Sequence, residues 1–429
     1  MRILLSAYAC QPNVGSEPEI GWQWARHLGT RHDVTVFTTV HHRQIIEHYR
    51  SAVQAEVVYV GLPLGLDQLL QVQHEGIGRR LHYWLWQRAA GRTARKLNRQ
   101  KSFDIVHHVS YIQYLTWAFG FNLDIPFVFG PIGGAETVPR ALFRDLSWRT
   151  HLKEWMRVLA ASVAHWFCSK RPGVYYIFSN PSTQTALIRG RPGIGSTLIP
   201  AVYLDEADLQ AEGDTHTSFS QEARVPSSKL NLIMAGRLLD WKGPLLALHA
   251  VARARDRGAD VRLLVIGSGP MAHVLEKIRG QLALEDCVTL TSAISRKEFL
   301  RRLNECDAVF YPAFRDSGSM LVAESYLNSK PVIMFDIDSQ FYVGAEYSIK
   351  VSVATTYEQT VDNVVSAIVA AATGKADLPA MGRRGRQMLL QTLSWNTKLK
   401  DIERIYQELS ATIQSRRTET VPDNAEHAL

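Results

Sequence analysis

Cysteine is scarce in this chain, and Cys10, Cys168, Cys287 and Cys306 share no spacing that would pair them as a disulfide frame or a zinc set. That usage fits a reducing compartment. No segment reaches the roughly eighteen clean apolar residues needed to cross a bilayer, and the apolar run in MRILLSAYAC is too short for a signal peptide. A cytoplasmic enzyme, either soluble or peripheral on the inner membrane face, is expected. No Asp-x-Asp cluster reads as a metal-held diphosphate site, so no metal ligands are assigned. A nucleic-acid-binding motif is also missing, and the basic segments lie apart from the phosphate-binding pattern described below, which argues against DNA or RNA as a partner. The turn Gly267-Ser268-Gly269 lacks a third glycine three residues on, where Ala272 stands, and no acid ends a following strand at the expected distance. A dinucleotide oxidoreductase is thereby excluded.

What is present is an α/β pattern long enough for two domains. The 429 residues are 46% hydrophobic, and short apolar strands alternate with helical periodicity, which implies mainly parallel sheets. Strands are expected at Arg2 to Ala7, Val34 to Val40, Phe103 to His108, Ile125 to Phe129, Leu232 to Gly236, Asp260 to Gly269, Val288 to Leu290 and Asp307 to Tyr311. Helices are expected at Pro244 to Arg257 and Met271 to Leu282. Ala211 to Ser228 is polar and without periodicity, as suits a linker or long loop.

The net charge of +7 is concentrated. Arg79 to Lys101 holds eight Lys or Arg and no acid, interleaved with Tyr83, Trp84 and Trp86. Trp148, Arg149, Lys153, Trp155, Arg157, Trp166, Lys170 and Arg171 form a second such region. Basic helices edged by tryptophan suit anionic lipid headgroups. They equally suit helices that cover a sheet, with aromatics buried and charges exposed.

The pattern that carries chemistry is YPAFRDSGSMLVAESYLNSKPVIMF, residues 311 to 335, in which Asp316 and Glu324 flank a small-residue turn opening an apolar run. A helix starting near Ser317 to Ser319 would turn its unpaired N–H groups and positive dipole end toward an anion. Gly318, Ser319, Met320 and Leu321 are the candidates for a diphosphate cradle, and Glu324 for ribose hydroxyls beside it. Upstream, LIMAGRLLDWKG ends a buried strand at Gly236 and sends Arg237 and Lys242 out at its carboxyl end, where open α/β sheets bind ligands. Arg offers a planar fork to phosphate oxygens and Lys a mobile point charge.

These motifs resemble family 4 of the nucleotide-sugar glycosyltransferases, also described as glycosyl transferases group 1, and the likeness covers nearly the whole chain. Gly236, Arg237, Lys242, Gly243, Asp316 and Glu324 occupy the family's carboxyl-terminal signature positions. The resemblance implies a retaining enzyme of the EC 2.4 class with the GT-B fold, two Rossmann-like doubly wound domains facing a cleft. Arg237 and Lys242 would hold the donor diphosphate, Glu324 the ribose, and Asp316 would approach the donor sugar. In the first domain Gly15, in the loop Gln11 to Glu17, would pass close to the donor. His107 and His108 end a strand, point to opposite faces, and one of them would serve the site; His108 is favoured. The loop Gly130 to Glu136 would line the same cleft.

The expected division is 1–205 for an acceptor domain, 206–395 for a donor domain, 396–412 for a helix returning to the first domain and 413–429 for a disordered tail. Transfer from a nucleotide-sugar donor to a saccharide or lipid-linked acceptor in bacterial polysaccharide synthesis follows, with no cofactor and no metal expected. A nucleotide-sugar epimerase of similar fold, or a non-catalytic membrane-surface partner in polysaccharide assembly, are the alternatives.

Overall fold

The computed structural model describes residues 1–13, 16–70, 77–112, 114–168, 174–204, 229–316 and 318–419. Two parallel sheets organise them. The first has seven strands in the order β3-β2-β1-β4-β5-β6-β7, formed by β1 (Arg2–Ser6), β2 (Asp33–Thr39), β3 (Glu56–Val60), β4 (Ile105–His108), β5 (Phe127–Ile132), β6 (Val174–Phe178) and β7 (Ser196–Leu198). The second has six in the order β10-β9-β8-β11-β12-β13, formed by β8 (Leu230–Ala235), β9 (Val261–Ile266), β10 (Val288–Thr291), β11 (Ala308–Tyr311), β12 (Val332–Phe335) and β13 (Ser348–Val351). Both orders reverse direction beside the first strand of the sheet, the place where doubly wound folds open a crevice.

Each sheet is buried on both faces, so its strands read as continuous apolar runs rather than alternating ones. In the first, Ile3, Leu5, Val36, Ile105 and Val128 pack against Trp22 and Trp24 of the helix Ser16–Gly29 and against Leu399, Ile402 and Tyr406. The opposite face, with Leu4, Phe37, Val106, Phe127 and Phe129, is covered by Tyr83, Trp86 and Ala90 of the helix Ile77–Lys101. In the second sheet Leu232, Met234, Leu263 and Val265 pack with Leu246, Val251, Val361 and Val365.

Two segments cross between the domains. Val138, Leu142 and Leu146, which follow β5, belong to the same apolar cluster as β8 and β9, and Tyr357 donates to Asp145 across that contact at 3.0 Å. The helix Trp395–Glu419 starts beside the second domain and packs on the first. It runs past the expected end, and residues 413–419, assigned to a disordered tail, are helical. Anchored by its apolar stripe, a helix of good formers can continue without further periodicity. Residues 420–429 and the linker 211–228 lie outside the described residues.

Candidate functional site

The second-domain strand ends converge on one charged cluster. β8 stops at Gly236, whose φ of +135° turns the chain out of the sheet, and Arg237 emerges exposed. Arg237's guanidinium has no hydrogen-bond or ion-pair partner among the described residues. The chain then returns through a short turn to Gly243, φ +71°, which opens the helix Pro244–Asp256. A Cβ at Gly243 would fall 2.1 Å from the Pro312 carbonyl oxygen, so only glycine lets this turn seat against the end of β11. That close approach sets Lys242 beside the loop after β11. Its Nζ donates to Asp316 Oδ2 at 2.5 Å and to the Tyr311 hydroxyl at 3.1 Å. Tyr311 also donates to the same Asp316 oxygen.

Lys242 is therefore ion-paired with Asp316. Asp316, expected to face the donor sugar, is the acceptor that holds it. Next comes Gly318, φ +136°, where a Cβ would lie 3.4 Å from Ala201 and Val202 of the segment after β7. Ser319 is the extended residue before the helix Met320–Leu327, and its side chain makes no capping bond. The first N–H groups of that helix, including those of Met320 and Leu321, lack intrahelical partners by geometry. Glu324 lies one turn further in, largely buried, and accepts from Arg296. Gly15 lies outside the described residues.

Asp336 and Asp338 do have the Asp-x-Asp spacing, and one oxygen of each accepts a hydrogen bond. Asp336 accepts from Lys350 at 2.8 Å, and Asp338 accepts from Ser182 across the domains at 2.7 Å.

In the first domain the histidines at the end of β4 are buried, satisfied groups. His108, the favoured catalytic histidine, has no exposed surface. Its Nε2 meets the Tyr83 hydroxyl at 3.0 Å, its Nδ1 meets Ser6 Oγ at 2.8 Å, and its ring stacks on Phe129. His107, on the other face, is equally buried, with Nδ1 at 2.6 Å from the Tyr406 hydroxyl and Nε2 at 3.1 Å from the Gly130 carbonyl oxygen. Burial pushes both imidazoles down to about 3. As placed here, His108 does not touch the cleft; it fixes the end of β4. Strand alternation correctly sets the two rings on opposite faces, but both faces of this sheet are covered.

Glu136, Thr137, Pro139 and Ser182 of the first domain and Phe314, Arg315, Ile337 and Asp338 of the second line one cavity of about 190 Å³. The loop Gly130 to Glu136 thus reaches the cleft, where Glu136 accepts from Asn180 and from the Gly134 N–H. A larger cavity of about 460 Å³ lies elsewhere, against the Ile77–Lys101 helix, between Trp84, Arg88, Arg92 and Trp117.

Three residues around the site escaped the sequence reading. Tyr311 was legible in principle, as the one polar-tipped side chain at the end of an apolar strand. Arg315 donates to the buried Glu154 at 2.8 Å and lies over the Trp241 ring. Asp240 accepts from the Ser147 N–H at 2.9 Å and the Thr150 hydroxyl at 2.7 Å, capping the helix Trp148–Cys168 from the opposite domain. Burial pushes the Asp240 carboxyl up, but these bonds outweigh it and hold it below its ordinary value. Such partners lie far apart in sequence and carry no local signal.

Comparison with known proteins falls on the same residues. Residues 216–375 match the family described as Glycosyl transferases group 1, a span that includes Arg237, Lys242, Asp316 and Glu324. A D-inositol 3-phosphate glycosyltransferase of Arthrobacter sp. (strain FB24) is 25% identical over 163 residues, covering 35% of this chain and 39% of that protein. The chain thus matches about two fifths of that relative's length. Among solved structures, sucrose-phosphate synthase of Thermosynechococcus elongatus aligns with a TM-score of 0.63 at 15% identity, over 96% of this chain and 99% of that one. HepE of Anabaena, solved in complex with UDP-glucose, aligns with a TM-score of 0.55 at 15% identity, over 97% and 100%. These likenesses show the fold: the two parallel-sheet domains form a GT-B architecture, and the second carries the group 1 glycosyl transferase match.

Proposed function

We propose that this chain is a glycosyltransferase of the EC 2.4 class that moves a sugar from a nucleotide-sugar donor on its second domain to a saccharide acceptor on its first. The observation that carries the reading is the Lys242, Asp316 and Tyr311 cluster at the carboxyl ends of β8 and β11, ahead of the helix Met320–Leu327 in the chain, with Arg237 exposed just past the end of β8. An arriving diphosphate offers Lys242 a second anion beside Asp316, with Arg237 and the helix N–H groups completing the cradle. Charge on the departing diphosphate is then stabilised by groups already in place, each worth roughly 3 to 4 kcal/mol when removed. No metal is called on for that step. Glu324 holds the ribose, for which it must exchange Arg296. Retention of anomeric configuration, family 4 membership and the place in polysaccharide synthesis rest on the resemblance. Product analysis with a panel of UDP-, GDP- and dTDP-sugars tests the reading: sugar transferred to an acceptor supports it, whereas conversion of the donor alone would establish an epimerase instead.

The acceptor in this reading is lipid-linked and the enzyme docks on the cytoplasmic membrane face. Support comes from the helix Trp148–Cys168. Trp148, Leu152, Trp155, Leu159, Val163 and Trp166 fall on one face at helical spacing, and all are exposed, Trp148 by 71% and Trp155 by 66%. Thr150, Glu154, Ala161 and Ala164 form the buried face. Arg149 and Lys153 are exposed, and the helix's one acid, Glu154, is buried. An apolar tryptophan face rimmed by cations suits an anionic bilayer. Sedimentation with phosphatidylglycerol vesicles tests this: wild type should pellet and Trp155→Asp/Leu159→Asp should not, and equal recovery in the supernatant would defeat it.

A further inference from the structure

We infer that His41, Asp67 and His82 form a binding site for a divalent transition ion of zinc's class in the first domain. The three come from separate elements: the turn after β2, the short helix Leu66–Leu69 after β3, and the second turn of the helix Ile77–Lys101. One donor atom from each lies within 4.8 Å of the others. His82 Nε2 is 2.9 Å and His41 Nε2 is 4.0 Å from Asp67 Oδ1. A tetrahedral ion with ligands at about 2.0 to 2.2 Å sets its ligand atoms about 3.3 Å apart, so side-chain shifts of roughly 1 Å complete the geometry.

Two further observations point to a ligand. His41 Nε2 is buried and makes no hydrogen bond, which a buried imidazole nitrogen does not ordinarily tolerate. The remaining atoms of the other two side chains are already oriented. His82 Nδ1 meets the Tyr8 hydroxyl at 2.9 Å, and Asp67 Oδ2 accepts the Leu62 N–H at 2.7 Å. Outer contacts of this kind hold metal ligands in position.

The proton balance is simple. Without the ion, His82 donates from Nε2 to Asp67 and accepts at Nδ1 from Tyr8. With it, the Nε2 lone pair goes to the ion and Nδ1–H donates to the Tyr8 oxygen, so His82 keeps one proton throughout. Two imidazoles and one carboxylate favour zinc over magnesium or calcium, which take oxygen ligands. Three protein ligands leave a fourth position for water or an acceptor oxygen. The site sits on the opposite domain from Lys242, at the carboxyl ends of β2 and β3, and does not depend on the transferase reading. Spacings of 26 and 15 residues across three elements hid it from the sequence.

Calorimetric titration of the chelator-stripped full-length protein with Zn²⁺, with metal content measured after dialysis, tests the site. One ion per chain is expected, with a rise in Tm. His41→Ala and Asp67→Asn should each weaken binding at least 10-fold, and Tyr8→Phe about 10-fold as an outer partner. His41 is partly exposed, so its variant reports binding even if His82→Gln fails to fold. Absence of stoichiometric binding, or binding of equal affinity in His41→Ala and Asp67→Asn, would overturn the proposal.

Discussion

The end of β4 and the end of β8 both lie beside the switch point of their sheets and are finished in opposite ways. At β4, His107 and His108 commit all four ring nitrogens to Tyr406, Gly130, Tyr83 and Ser6 and retain no exposed surface. At β8, Arg237 stands exposed and Lys242 is held part-buried by Asp316 and Tyr311. A closed polar network positions backbone, because every group already has its partner and a ligand would have to displace one. A cluster with Arg237 beside it, exposed and unpartnered among the described residues, has interactions still to make. On the proposed function, donor chemistry belongs to the second domain and the two histidines hold the backbone at the end of β4.

The largest effect that can break this assignment is on turnover. Lys242→Ala should lower kcat by about 10²- to 10³-fold, with Arg237→Ala similar, while circular dichroism stays unchanged. His108→Asn should instead lower Tm and change kcat by less than about 10-fold. A 10²-fold kcat loss in His108→Asn at unaltered Tm would return the histidine to the reaction.

Next in size is the response to acid. His107 and His108 are held near 3 from an ordinary 6.5 by burial. The unfolded chain therefore takes up protons first as pH falls below 6.5, and stability drops until the folded values are reached. At pH 5 the loss is about 2 kcal/mol for each histidine, read as a lower urea midpoint than at pH 7. His108→Asn should flatten that slope by about half; a slope unaffected by the substitution would mean the ring is solvated.

Smallest is the domain contact. Asp240→Ala removes the cap on the Trp148–Cys168 helix and should cost about 1 kcal/mol, measurable as a modest fall in Tm. No change would show that the domains part in solution at this point.

The same contrast explains what the sequence could tell. β8, β9 and β11 with their following turns were legible because each is a local apolar run closed by a chain-turning residue, Gly236, Gly267 or Pro312. β3, β6, β7, β12 and β13 were not anticipated as strands: β3 is a short, half-exposed edge strand, β6 follows a basic stretch that drew a helical reading, and β7, β12 and β13 are only three or four residues long. The two basic, aromatic helices looked alike as strings. Folded, Tyr83 and Trp86 are buried while Trp148 and Trp155 are exposed, because coverage depends on which face meets a sheet. Lys242 was picked out, yet its ion pair with Asp316 spans 74 residues and only the fold brings the two together.

Calorimetric titration of wild type and Lys242→Ala with UDP-, GDP- and dTDP-sugars tests the central claim most directly. The account predicts saturable binding of one donor by the wild type, weakened by at least 10-fold in the variant. Donor binding of equal affinity in both proteins would contradict it.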